Sequence, residues 1–229
     1  MSMTLTEADM AQAFAQRMAM REDTKLLPYF AGIEPEVDCL QGRPDFIGIT
    51  SEEAFASALW GSALTEALAT PSLAHIMALL KRRAPRREEY LLRVTGLSVP
   101  VFRRAMAALE HRDIVERMGS GYVLAPHVPN LQTRLWAFEL KLDHWQRALF
   151  QACQYQAFAH ATLVVISAHS AHRAERHHAR FEALGVGLVA FDAVTAELRV
   201  LVQPARRRPL SQRHYLFALG RVLARQPRD

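Results

Sequence analysis

Cysteine is nearly absent from this chain. Cys39 and Cys153 are the only two cysteines among 229 residues. Two thiols do not provide the disulfide framework on which small secreted domains depend. The first seven residues have neither a basic region nor an apolar run, so they lack the pattern of a secretory signal. The sequence therefore predicts a reducing, cytoplasmic setting.

Long hydrophobic runs are also missing. Half of the residues are apolar, which is enough for a substantial core. No window approaches the twenty apolar residues free of charge that a membrane-spanning helix would require. Internal repeats and low-complexity segments are absent as well. These absences argue against a membrane-spanning helix and against a repeat protein, and they favour a folded chain of one or two domains.

Lysine is scarce although the chain is basic. Lys25, Lys81 and Lys141 are the only three lysines, against twenty-five arginines. An ammonium group is compact and shifts its pKa readily, whereas a guanidinium group is a fixed, permanently charged fork. Because this sequence normally places arginine where positive charge is wanted, the lysine at position 141 gives weak support to a chemical role for its ammonium group.

Charge is distributed unevenly along the chain, whose net charge is +5. Residues 1–60 contain ten acidic and four basic side chains, a balance of −6, and the remainder contains thirteen acidic and twenty-four basic ones, a balance of +11. A basic body with an acidic N-terminal part is typical of a polyanion-binding protein whose carboxylates have a local task, such as holding a metal ion. Ordinary solvated faces in an arginine-rich chain are the alternative.

The segment 71–126 has a pattern of its own. It predicts helices over 72–82, 85–95 and 99–111, a Thr-Gly-Leu-Ser turn between the last two, and a hairpin over 114–124 with glycines at its tip. This order resembles a winged helix-turn-helix domain, with 99–111 as the recognition helix. A protein-docking module is the alternative. The residues predicted to bind DNA are Lys81, Arg82, Arg83, Arg86, Arg87, Arg103 and Arg104.

The rest of the chain alternates between helical and extended patterns. Such alternation predicts an α/β fold with a mixed sheet and helices on its faces. The runs 206–208 (arginines) and 169–178 (four histidines) are interpreted as solvated surface rather than as sites. The predicted elements are a helix over 6–20, a hairpin over 34–49, a helix over 52–69, strands over 134–142, 162–167, 186–192 and 197–203, and helices over 143–159, 170–184 and 210–225.

The stretch 136–143 carries the strongest functional signal. Trp136, Phe138 and Leu140 alternate with Glu139 and Lys141. Because successive side chains of a strand point to opposite faces, the carboxylate and the amine share one face. A cation and an attacking water can be held side by side by such a pair. A solvated strand face is the alternative interpretation.

Three short motifs together resemble the PD-(D/E)xK nuclease superfamily, which shares the core of restriction endonucleases. They are Pro44-Asp45, Glu139-Leu140-Lys141, and Gln151 with Tyr155 on the next helix. The resemblance implies an α/β fold with a restriction endonuclease-like core in 1–70 and 128–229, interrupted by the winged helix in 71–127.

The resemblance also implies a set of site residues. Asp45 and Glu139 would bind Mg²⁺ or Mn²⁺, Lys141 would assist the attacking water, and Gln151 and Tyr155 would support them. The family's additional N-terminal acidic residue is either Glu7 or Glu36. We prefer Glu36 as a third metal ligand, because it precedes the strand of Asp45 in the predicted hairpin.

The expected function is metal-dependent hydrolysis of phosphodiester bonds in DNA. Two other classes stay open: a DNA-binding regulator or scaffold that keeps the nuclease fold without turnover, and a protein-interaction module. Cutting both strands of a duplex usually needs two active sites, so a homodimer is compatible with this function, and the oligomeric state stays open. DNA is the expected partner and no membrane association is expected.

Overall fold

The computed structural model describes residues 5–20, 27–50, 61–130 and 133–225. The chain forms two compact units, one of residues 1–52 and 133–210, here called the sheet unit, and one of residues 53–132 and 211–229, here called the helical unit. Within the described ranges, no helix is long and apolar enough to cross a membrane. The first part of the predicted helix 52–69 lies outside the described residues.

The helices and strands alternate along the chain broadly as predicted. In chain order they are α1 (Glu7–Ala19), β1 (Gly32–Pro35), β2 (Phe46–Ile49), α2 (Ser62–Leu68), α3 (Pro71–Leu79), α4 (Glu88–Thr95), α5 (Val99–His111), β3 (Val115–Met118), β4 (Gly121–Leu124), β5 (Leu135–Lys141), α6 (Trp145–Tyr155), β6 (Ala161–Ser167), α7 (Ala171–Glu175), α8 (His178–Leu184), β7 (Gly187–Phe191), β8 (Leu198–Val202) and α9 (Gln212–Leu223).

The sheet unit is built on a six-stranded mixed sheet in the order β1-β2-β5-β6-β7-β8. β5, β6 and β7 are parallel, and the remaining neighbours are antiparallel. Parallel neighbours need a crossover connection, and α6 supplies the one between β5 and β6. The predicted α/β class with a mixed sheet and flanking helices is confirmed.

Helix α1 covers one face of this sheet through its apolar side. Thr6 and Asp9 form a capping box that fixes where the helix begins. Its buried Phe14 lies 5.6 Å from Phe46, 5.5 Å from Phe138 and 5.6 Å from Phe191, measured between ring centroids. Because these contacts hold the helix on the sheet, the side chains of its first turn have a fixed position.

Helix α6 covers the opposite face. Its buried Ala148, Leu149 and Ala152 belong to the same apolar cluster as Val164 and Ile166 of β6. As a result, six of the seven residues of β5 are buried. The alternation of the β5 sequence was interpreted as one apolar face and one polar face, but both faces of the strand lie under a helix.

Two predicted elements of the sheet unit were wrong in detail. The first strand of the hairpin predicted over 34–49 ends at Pro35, because Glu36 adopts a left-handed backbone conformation with φ of 49°. The single helix predicted over 170–184 is broken into α7 and α8 around His177, whose ring stacks on Trp145 at 4.6 Å.

The helical unit contains α2 to α5, the two-stranded sheet of β3 and β4, and α9. A side chain at Gly220 of α9 would place its Cβ atom 2.4 Å from the backbone of Leu68 and Ala69. Only glycine therefore permits α9 to pack this closely on the end of α2. The prediction placed only 71–127 in the inserted domain and assigned 53–70 and 211–229 to the nuclease-like core. In the structure these two segments group with the helical unit.

Candidate active site

A hydrogen bond joins Asp45 to Leu140 of β5, although 95 positions separate the two residues in sequence. Asp45 immediately precedes β2, which pairs with β5 so that Phe46 lies opposite Phe138. Its Oδ2 atom accepts a hydrogen bond of 2.6 Å from the backbone N–H of Leu140. The strand pairing therefore brings the carboxylate of the Pro-Asp motif to the Glu-x-Lys motif.

Glu139 is a buried carboxylate, with 1% of its surface exposed. Its Oε1 atom lies 3.0 Å from Nζ of Lys141, and its Oε2 atom accepts a hydrogen bond of 2.7 Å from the hydroxyl of Tyr155. Glutamate is rarely buried this completely unless it is paired. The two partners explain why this charge is tolerated beneath α6.

The amine of Lys141 is surrounded by oxygen atoms. It donates a hydrogen bond of 2.8 Å to the carbonyl of Leu140, and beyond Oε1 of Glu139 it lies 3.7 Å from Oε2 of Glu7 and 4.0 Å from Oδ2 of Asp45. Three carboxylates and one carbonyl thus converge on a single positive charge. The ammonium group stands where a cation bound by these oxygens would lie.

The pKa values of this cluster reflect its burial and its charges. Burial raises the pKa of Glu139, and the charge of Asp45 raises it further, although Tyr155 and Lys141 oppose the shift. Burial also raises the pKa of Asp45, against the N–H of Leu140 and the charge of Lys141. Both carboxyl groups therefore ionise less readily than usual. Additional positive charge beside them would stabilise their ionised forms.

Lys141 keeps its proton. Burial alone would lower its pKa, but the hydrogen bond and charge of Glu139, followed by the charges of Asp45 and Glu7, raise it above its usual value. Lys141 is therefore an ammonium group at neutral pH. In this form it donates hydrogen bonds and positive charge and does not accept a proton.

Gln151 and Tyr155 lie one turn apart on α6, as their spacing predicted, and a side-chain hydrogen bond joins them. Tyr155 is 1% exposed. Burial, followed by its hydrogen bond to Glu139, raises the pKa of its hydroxyl, so it is a hydrogen-bond donor throughout the physiological range. The Oε1 atom of Gln151 is buried and has no hydrogen-bond partner in the described part of the chain.

The N-terminal acidic residue nearest to Lys141 is Glu7, not Glu36. Glu36 forms an ion pair of 2.9 Å with Arg43, and its side chain is 63% exposed. Glu7 reaches Lys141 because the capping box fixes it in the first turn of α1. Among the described residues, no group of three or more His, Cys, Asp or Glu side chains has an arrangement that could hold a metal ion.

The predicted DNA-binding residues lie in the helical unit and differ in their surroundings. Arg103 and Arg104 are exposed on α5, and Lys81, Arg83 and Arg87 are also exposed. Arg82 donates hydrogen bonds to the carbonyls of Pro126 and Val128. The guanidinium group of Arg86 lies 5.2 Å over the ring of Tyr90. The last two arginines therefore have structural contacts that the sequence did not indicate.

No protein-family model, no curated protein and no solved structure matches the chain.

Proposed function

We propose that this protein is a metal-dependent nuclease that hydrolyses phosphodiester bonds in DNA. In this proposal the sheet unit is a restriction endonuclease-like core, and α3 to α5 with the β3–β4 hairpin are a winged helix that binds the duplex. One observation carries it: Asp45, Glu139 and the carbonyl of Leu140 converge on the amine of Lys141. Carboxylates separated by 94 positions of sequence are brought together where their charges repel.

The oxygen atoms of this cluster fit a hard divalent cation. Mg²⁺ prefers oxygen ligands and commonly takes only one or two protein carboxylates, with waters or phosphate oxygens completing its shell. Asp45 and Glu139 would hold it, and the Leu140 carbonyl is a further ligand. The ammonium group of Lys141 already serves as a cation among these oxygens, which shows that they accommodate positive charge. Lys141 would have to leave this position when the ion enters.

A bound Mg²⁺ would neutralise charge on the phosphate and lower the pKa of a bound water. The side chains of this chain have separate tasks. Lys141, displaced from between the carboxylates but still protonated, donates hydrogen bonds to the phosphate oxygens, on which negative charge develops. Tyr155 keeps Glu139 in place through the bond to Oε2. Glu7 extends the negative field that attracts the cation.

The unpartnered Oε1 atom of Gln151 supports the proposal independently. A buried acceptor without a hydrogen bond costs free energy, about 1–3 kcal/mol. The Gln151 side chain is hydrogen-bonded to Tyr155, which holds Glu139, so this acceptor would be available to a donor bound beside that carboxylate. A water molecule in line with the scissile bond is such a donor, and Gln151 would orient it.

Charge favours nucleic acid as the substrate. Residues 71–126 carry ten basic and five acidic side chains, and the exposed pair Arg103 and Arg104 lies on the helix that would enter the major groove. Phosphate neutralisation by such side chains supplies most of the affinity for DNA.

A cleavage assay tests the proposal. Purified protein is incubated with supercoiled plasmid and with duplex oligonucleotides in Mg²⁺ or Mn²⁺, beside Glu139→Gln, Asp45→Asn and the control Asp38→Asn. Asp38 is an exposed carboxylate on the same segment as Asp45. We expect both site variants to lose more than about a hundredfold in rate and the control to retain it. Wild-type activity in both site variants would refute the proposal.

A second function is favoured by the same geometry. Lys141 already neutralises Glu139, so the cluster is stable without a metal ion, as in a DNA-binding protein that keeps the nuclease fold without turnover. Wild-type protein that retards DNA in gels yet leaves it uncut under every divalent ion tested would establish this alternative.

A further inference from the structure

A second polar site lies at the opposite end of β5 from Lys141. In the pairing of β5 with β6, Trp136 lies opposite Ala161 and Lys141 lies opposite Ile166. Trp136 and Lys141 are five residue steps apart along the strand, or about 16 Å. A cavity of about 210 Å³ lies beside Trp136. Its lining, here called the arginine pocket, consists of Arg134, Trp136, His160, Arg206, Arg207 and Arg208.

The arginine pocket is cationic, and no carboxylate is found among the described residues that line it. Four of its six lining residues are arginines, and none of these four forms an ion pair with an acidic side chain in the ranges that the structure describes. Arg206 instead lies 5.4 Å over the ring of Trp136. Guanidinium groups held together without counter-charge repel one another, so an anion between them is stabilised.

The pocket is built by backbone contacts, although residues 203–209 form no regular secondary structure. A Cβ atom at Gly185 would lie 3.3 Å from Cζ of Arg207, so the guanidinium group packs directly on that glycine. This packing and the backbone hydrogen bonds of the segment position the three consecutive arginines, whose side chains are exposed. Three backbone hydrogen bonds anchor the segment: Ala205 N–H to the Gly185 carbonyl at 3.0 Å, Arg207 N–H to the His160 carbonyl at 2.9 Å, and Leu210 N–H to the Gln156 carbonyl at 3.0 Å.

A neutral histidine belongs to the pocket, and a buried threonine hydroxyl lies in the cavity next to it. His160 accepts a hydrogen bond of 3.2 Å at Nδ1 from the N–H of Leu135, which leaves its proton on Nε2. Burial, followed by the charge of Arg134, lowers its pKa to about 4, so the ring is neutral at physiological pH. In an adjoining cavity lined in part by His160, Arg207 and Arg208, the hydroxyl of Thr162 is buried without a partner among the described residues.

We propose that the arginine pocket binds the phosphate group of a phosphate ester, the chemistry shared by a free mononucleotide and a nucleic acid strand. Guanidinium groups match phosphate oxygens with paired hydrogen bonds, which ammonium groups do not. A cavity lined by such groups receives a single phosphate rather than an extended backbone. This site is separate from the carboxylate cluster, and it does not depend on whether that cluster cleaves DNA.

Calorimetric titration of the full chain tests the proposal. The probes are inorganic phosphate, a deoxynucleoside monophosphate and a short single-stranded oligodeoxynucleotide, each in phosphate-free buffer without divalent ions. The variants are Arg208→Ala and Arg134→Ala, from two sides of the pocket, and Arg208→Lys, which keeps the charge and loses the fork. Arg199→Ala is the matched control, because Arg199 is exposed on β8 and its replacement removes the same charge from the same unit.

We expect saturable binding by the wild-type protein. Each alanine variant of the pocket should raise the dissociation constant about tenfold or more, and Arg208→Lys should raise it by less. Arg199→Ala should leave the dissociation constant within about twofold of the wild-type value. A mononucleotide that binds comparably to the oligonucleotide identifies a free phosphorylated ligand, and binding of the oligonucleotide alone identifies a strand. The absence of saturable binding by all three probes would overturn the proposal. Equal weakening by Arg199→Ala and both pocket variants would overturn it too, since net charge alone would then explain the binding. Thermal melts of each variant show whether it is folded, and either folded alanine variant suffices for the comparison.

Discussion

Replacing Lys141 with methionine removes the charge that neutralises Glu139 and keeps most of the side-chain volume. Glu139 would then be a buried carboxylate beside Asp45, with the hydroxyl of Tyr155 as its remaining hydrogen-bond partner. Removing one member of a buried ion pair typically costs about 3–5 kcal/mol, because the other charge is left uncompensated. For a chain of this length we expect the thermal midpoint of the sheet unit to fall by roughly 6–20 °C at pH 8.

The loss in Lys141→Met should depend on pH. The pKa of Glu139 is raised in the folded protein by burial and by Asp45, and removal of Lys141 raises it further. When the pKa of a carboxyl group is higher in the folded state than in the unfolded state, the folded protein loses stability as the pH rises from the unfolded-state pKa through the folded-state pKa. The variant should therefore lose more stability at pH 8 than at pH 5, as measured by denaturant unfolding at both values.

The same variant should respond strongly to a divalent ion. With the ammonium group gone, Mg²⁺ can take its place among the oxygens of Asp45, Glu139 and Leu140. Binding at a hundredfold excess over the dissociation constant stabilises the folded state by about 2.7 kcal/mol. We therefore expect Mg²⁺ to restore much of the lost stability of Lys141→Met, whereas its cleavage of DNA stays abolished.

Lys81→Met is the control, because Lys81 is exposed and its loss should change stability by no more than about 0.5 kcal/mol. The double variant Glu139→Gln/Lys141→Met removes both charges and should be more stable than Lys141→Met alone. Equal stability of Lys141→Met and Lys81→Met at pH 8 would refute the reasoning, since Glu139 would not depend on its neighbour.

Four further predictions concern single side chains. Tyr155→Phe should destabilise the fold by about 1.5–3 kcal/mol at neutral pH, the range for a hydrogen bond to a charged group. Denaturant unfolding checks this, and an unchanged midpoint would contradict the 2.7 Å bond to Glu139. Glu7→Gln should weaken the Mg²⁺ dependence of cleavage more than Glu36→Gln does, because only Glu7 contacts Lys141; the reverse order would return the role to Glu36. Arg103→Ala should lower the slope of log affinity for DNA against log salt by about one, and Arg82→Ala should mainly lower the thermal midpoint, because Arg82 bonds to backbone carbonyls.

The sequence predicted the parts of the site that depend on short-range periodicity. The alternation of 136–142 placed Glu139 and Lys141 together, and the spacing of Gln151 and Tyr155 placed both on one face of a helix. The order of strands and helices also predicted the mixed sheet. These inferences succeed because backbone geometry determines the face to which side chains point: residues two positions apart share a face of a strand, and residues four positions apart share a face of a helix.

Features that depend on tertiary packing were not predicted. Nothing near Glu139 in the sequence reveals that α6 buries it, because α6 has an ordinary amphipathic pattern. The choice between Glu7 and Glu36 was undecidable from sequence, since it depends on how Phe14 seats α1 on the sheet. The arginines at 206–208 are exposed, as predicted, whereas the backbone bonds that anchor their segment to Gly185 and His160 were not predicted, because those residues are distant in sequence.

A crystal structure of the protein soaked in Mn²⁺, with anomalous diffraction, tests the central claim most directly. We predict one anomalous peak within about 2.5 Å of carboxylate oxygens from both Asp45 and Glu139, with the amine of Lys141 moved away from its contact of 3.0 Å with Glu139. A Mn²⁺-saturated crystal in which the amine still lies between the two carboxylates and no peak appears there would contradict it.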